Sequence, residues 1–64
     1  MSKYIYAVSG ETMQQFFKSF SAARKAAIFA PWTDGHVYRH RCAWEDRPML
    51  AEEGKLVFVS TSLT

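Results

Sequence analysis

At 64 residues the chain is long enough for one domain only, residues 1–64, and a domain of that size buries about 60% of the surface its unfolded chain exposes. Its 48% hydrophobic and 16% aromatic content excludes the low-hydrophobicity, high-charge regime of disordered segments. A formal net charge of +2 is mild for a dedicated nucleic-acid binder. The single cysteine, Cys42, rules out an internal disulfide.

With no apolar export segment in MSKYIYAVSGE, the unpaired thiol points to a reducing, cytoplasmic setting. The longest low-charge stretch, AAIFAPW (Ala26 to Trp32), falls far short of the ~20 residues of a membrane span. Charge is unevenly placed. Lys3, Lys18, Arg24, Lys25, Arg39 and Arg41 precede Trp44 against only Glu11 and Asp34, whereas Glu45, Asp46, Glu52 and Glu53 gather after it with Arg47 and Lys55.

In chain order, KYIYAV combines aromatic and β-branched residues and closes on Ser9-Gly10, the composition of a strand entering a turn. Residues 11–31 admit two readings. A single helix from Thr12 would use Gln15 in a capping box. Alternatively, MQQFFK returns as the second strand of a hairpin, and Ser19 caps a shorter helix, FSAARKAAIFA. The second is preferred because Ser19 is a poor helix-interior residue and a good cap. Ala23 and Ala27, four apart, then give a small-residue stripe for close approach to a sheet. Pro31 limits the helix, WTDG reads as a turn, and GHVYRHRCAW as a strand. EDRPMLAEEG reads as a loop, KLVFVSTS as a central strand, and Leu63-Thr64 as a frayed end. The expected fold is therefore α+β: a mostly antiparallel four-stranded sheet with one helix on one face, ββαββ, with βαββ as the alternative.

HVYRHRCAW concentrates the candidate chemistry. On an extended strand His36, Tyr38, His40, Cys42 and Trp44 share one face, and Val37, Arg39 and Arg41 the other. His36 and His40 then lie about 13 Å apart at ~3.3 Å per residue, too far for one ion, and His40 with Cys42 supplies too few ligands. No oxyanion loop or orienting group accompanies Cys42 and His40, and the three glycines stand alone, so neither catalysis nor phosphate cradling is expected. No cofactor or metal is expected.

Binding is the remaining class. Exposed Arg and Trp are common interface anchors, and the sign change after Arg41 supplies electrostatic register, which makes Arg39, Arg41, Trp44, Glu45 and Asp46 the candidate partner contacts. The alternative is a nucleic-acid surface, with Tyr4, Tyr6, Tyr38 and Phe58 stacking bases and Lys3, Arg39, Arg41 and Lys55 meeting phosphates. One helix cannot cover all ten aromatics, so exposed aromatic area, and with it a partner or a homodimer, is expected.

KSFSAARKAAIFAPWTDGHVYRHR, with Ser19, Ala23 and Ala27 in the helix and Gly35-His36-Val37 opening a strand, resembles small accessory proteins of bacteriophages. These include phage inhibitors of bacterial RNA polymerase and some anti-CRISPR proteins. The resemblance covers about a third of the chain. It implies inhibition or redirection of a host enzyme by stoichiometric protein contact, without catalysis, in the host cytoplasm. The strand following WEDRPMLAEEG departs from the shorter examples, so their contact residues do not transfer.

Overall fold

A computed structural model describes residues 3–60. Strands β1 (Ile5–Gly10) and β2 (Gln14–Phe17) form a hairpin, helix α1 (Phe20–Phe29) follows, and β3 (Thr33–His40) and β4 (Lys55–Val59) complete the sheet. All pairings are antiparallel, in the order β2-β1-β3-β4. This is the ββαββ arrangement, and residues 14–17 are strand, so the long-helix alternative does not form.

Ser19 starts the helix because its Oγ accepts the Ala22 N–H at 3.2 Å, satisfying a donor that has no partner within the helix. Ala30 turns extended before Pro31 and ends it. Buried Ala23 and Ala27 set α1 against Val8 of β1 and Val37 of β3. Larger residues at the two positions would hold the helix off the sheet. Tyr6, Phe17, Trp32, Val57 and Phe58 pack around this small centre.

Three boundaries differ from the sequence reading. First, β3 begins at Thr33, inside the expected turn, and ends at His40. The strand absorbs the turn residues through a bulge: β1 partners step from Val8 with Val37 to Gly10 with Thr33, leaving 34–36 opposite Ser9. Gly35 makes the bulge possible, since its φ is 88° and a Cβ there would stand 2.9 Å from the Ser60 carbonyl oxygen. Cys42 and Trp44 therefore do not share a strand face with His36, Tyr38 and His40, nor does Arg41 with Val37 and Arg39.

Second, β4 lies at the sheet edge, not its centre. Its apolar run reflects a second bulge, where Val37 pairs with Phe58 but Tyr38 with Leu56. The extra residue, Val57, joins Phe58 on the helix-side core, while Leu56 and Val59 stay 46% and 44% exposed. Bulges and a terminal Lys are devices that discourage edge pairing. The expected frayed end at 63–64 lies outside the described residues.

Third, the sheet face away from the helix is not left open. Residues 41–54 fold back over it as a strap containing short 3₁₀ turns at Trp44–Asp46 and Ala51–Glu53. The Gln14 side chain holds the strap twice: its Nε2 donates to the Met49 carbonyl, and its Oε1 accepts the Ala51 N–H at 2.7 Å. His40 Nε2 meets the Ala51 carbonyl at 3.1 Å; the acceptor is a carbonyl, so Nε2 carries the proton. Ile5, Ala7, Ser9, His40 and Ala51 are thereby buried as a second, smaller core, with Phe16 edge-on to the His40 ring at 6.1 Å.

Candidate functional site

The strand ends create two clusters that could carry function. One lies where β1 starts, β3 ends and β4 starts. The Arg39 guanidinium lies 4.7 Å from the Tyr4 ring centroid, a cation–π distance. On the pairing ladder Arg39 faces Tyr6 on one side and Lys55 on the other. Tyr6 contacts Phe20 at 5.5 Å, and Phe20 meets Phe58 edge-on at 6.2 Å. Arg39 thus stands at the rim of an aromatic floor that α1, resting farther along the sheet, leaves partly uncovered.

Beyond β3 the chain turns beneath Tyr4 toward β2. Lys3, Tyr4, Lys18, Cys42, Trp44 and Glu45 line a shallow groove there. Trp44 lies between two cations, with Lys18 Nζ 5.3 Å and the Arg47 guanidinium 4.4 Å from its ring centroid. Arg47 also donates to the Trp44 carbonyl at 2.9 Å, which fixes the 3₁₀ turn. Arg41, Glu45 and Asp46 are exposed, and Arg39 and Trp44 are half-buried.

Of the sequence-nominated contacts, Arg39 lies on Tyr4 at one end of the sheet, and Trp44 and Glu45 line the groove that Tyr4 also lines; Arg41 and Asp46 are exposed on the segment that follows β3. Arg39 and Arg41 do not project from one strand face as expected, because β3 has already ended. Among the described residues the only basic–acidic side-chain contact within 4 Å is His36 Nδ1 with Asp34 Oδ2 at 3.5 Å. Arg39, Arg41, Lys18 and Lys55 therefore have no carboxylate partner among those residues. Lys18 was not nominated from sequence. It lies between Phe17 and the cap Ser19, where only the fold brings it to Trp44, 26 positions away by sequence number.

The second cluster sits at the β3 bulge under the strap. Buried Ser9 donates its hydroxyl to the Asp34 carboxylate, at 3.2 and 3.1 Å from the two oxygens. Asp34 Oδ1 also accepts the His36 N–H at 3.1 Å, and its Oδ2 lies 3.5 Å from His36 Nδ1. Nucleophilic serine chemistry needs the imidazole between hydroxyl and carboxylate. Here the carboxylate stands in the middle, so the Ser9 proton is directed at an anion and the trio braces the bulge. Tyr38 packs edge-on against His36 at 6.3 Å. Burial, followed by the negative charges of Glu52 and Asp34, pushes its hydroxyl above the ordinary tyrosine pKa.

The His40 Nε2–H is directed to the Ala51 carbonyl, and no hydrogen bond joins His40 to Cys42 among the described residues. No group of three or more His, Cys, Asp or Glu among the described residues could hold a metal ion. No helix among them is long and apolar enough to cross a membrane. The chain matches no protein-family model, no curated protein and no solved structure.

Proposed function

We propose that the chain is a non-enzymatic binding protein that inhibits or redirects a host macromolecular machine by stoichiometric protein contact at the aromatic–basic end of its sheet. The observation that carries this reading is Arg39: half-buried, without a carboxylate partner among the described residues, and laid on Tyr4 beside Tyr6 and Phe20. An arginine so placed already has its hydrocarbon stem ordered, so it loses less side-chain freedom when a partner carboxylate binds. Arg41, Trp44, Glu45 and Asp46 follow it in the chain with both signs of charge, and Trp44 and Glu45 share a groove with its stacking partner Tyr4, which favours one docking orientation over others. The resemblance to phage accessory proteins supports a host enzyme, such as an RNA polymerase or a defence complex, as the target.

Nucleic acid is the weaker reading because the aromatic floor beside Arg39 is only partly uncovered and the other sheet face lies under the strap. The helix side carries Tyr6 against Phe20 and Phe20 against Phe58, and the strap lies on the other side. Affinity capture from a bacterial lysate tests the proposal when wild type and Arg39→Ala/Trp44→Ala are run side by side. One protein held stoichiometrically by wild type and released by the variant supports it. Retention of nucleic acid with no stoichiometric protein overturns it.

A further inference from the structure

A second surface, at the other end of β2, has the opposite character. The Gly10–Met13 turn closes with the Gly10 N–H donating to the Met13 carbonyl at 2.7 Å, and leaves Met13 42% exposed. The two hydrogen bonds of Gln14 bring the strap beside it, where Met49 is 86% and Leu50 55% exposed. Met13, Leu50 and Glu52 line one shallow groove. These three apolar side chains are held outward by a backbone that is itself fixed. Leaving Met49 and Leu50 in water forgoes hydrophobic burial, which a binding surface recovers on docking.

Charge specifies the occupant. Glu52, which lines the groove, and Glu11, two residues before Met13 on the turn and lining the neighbouring groove with Trp32 and Asp34, are exposed and have no salt-bridge partner among the described residues. No Lys or Arg lines the groove. An apolar patch edged by unpaired carboxylates complements a helix with an apolar face and lysines or arginines flanking it. Methionine, unbranched and polarizable, adapts to the varied side chains of such a helix. We propose that Met13, Met49, Leu50, Glu11 and Glu52 form a docking surface for a cationic amphipathic helix, separate from the aromatic–basic end. The two surfaces would let one small chain bridge an acidic site and a basic one.

The test uses the full chain with 13C-methyl methionine and two synthetic helical peptides, one with leucine and lysine faces, the other with glutamate in place of lysine. The Met13 and Met49 methyl resonances should shift with the Leu/Lys peptide while the Trp44 indole resonance stays in place. The Leu/Glu peptide should bind at least about tenfold more weakly, a difference of ~1.4 kcal/mol. Glu11→Gln/Glu52→Gln, which leaves the core and the Gln14 bonds intact, should weaken Leu/Lys binding and flatten its salt dependence. Unmoved methyl resonances overturn the proposal. So does equal binding of both peptides, or a Leu/Lys response centred on Trp44.

Discussion

Arg39, near the end of β3, lies 4.7 Å from the ring centroid of Tyr4, the residue just before β1, although the two are 35 positions apart in sequence. The contact orders an arginine at the end of β3 and leaves its charge without a carboxylate partner among the described residues. Arg39→Ala should keep the fold, because the lost cation–π contact is worth about 0.5–1 kcal/mol at a partly exposed site. Partner binding should weaken by about 2–5 kcal/mol, mainly through faster dissociation. Arg39→Lys should restore only part of it, because an ammonium lacks the planar fork. Calorimetry and dissociation kinetics on the captured partner read both effects.

The strap should detach before the helix–sheet core opens. Gln14→Ala removes the acceptor of the Ala51 N–H and the donor to Met49. Leaving such groups unsatisfied costs about 1–3 kcal/mol where they are buried. Amide exchange at Ala51 should accelerate in the variant while Val8 and Val37 remain protected. Equal acceleration at all three sites would mean that strap and core open as one unit.

Gly35→Ala should destabilise the whole sheet. A Cβ at φ 88° stands 2.9 Å from the Ser60 carbonyl oxygen, and left-handed backbone alone costs a non-glycine residue about 1–2 kcal/mol. For domains of this size each kcal/mol lowers Tm by about 4–8 °C, so thermal unfolding should detect the change easily. An unchanged Tm would show that the bulge opposite Ser9 is not required.

Tyr38 gives a pH signature. Its hydroxyl proton is held more tightly in the folded protein, chiefly by burial and then by Glu52 and Asp34. A raised folded-state pKa means that the associated stability is fully present below the unfolded value of 10.0 and is lost as pH climbs through the folded value. Ultraviolet titration should show a late tyrosinate component that disappears in Tyr38→Phe. Glu52→Gln should move that component part of the way back toward the ordinary value.

Local features were legible in the sequence because their causes are local. Ser19 announces a cap and Ala23 with Ala27 a close helix–sheet contact, and the structure contains both; Ser9 and Gly10, expected in the turn, instead end β1, and the hairpin turns just beyond them between Gly10 and Met13. The strap was not legible. Gln14 and Ala51 are 37 residues apart, and nothing in QQFF or MLAEEG encodes that an amide side chain will bond both sides of a loop. Residues 45–54 looked like a solvated excursion because Glu45, Asp46, Glu52 and Glu53 mask the one buried residue, Ala51. Alternation also misled at both ends of β3. A bulge shifts which residues share a face without leaving a period-two signature, and β4 looked central because its own bulge turns two consecutive residues, Val57 and Phe58, toward the core. Arg39, Trp44 and Glu45 all come near Tyr4 because β3 ends at His40 and the chain bends at Cys42, a fact about backbone path and not about strand faces.

The most direct test of the account is a double-mutant cycle between Arg39 and the acidic residue of the captured partner that lies nearest to it, found by cross-linking from Lys55. The account predicts a coupling energy of about 1.5 kcal/mol or more, the range of close interfacial charge pairs. Additive effects of the two changes, with Arg39→Ala binding the partner as tightly as wild type, would contradict it.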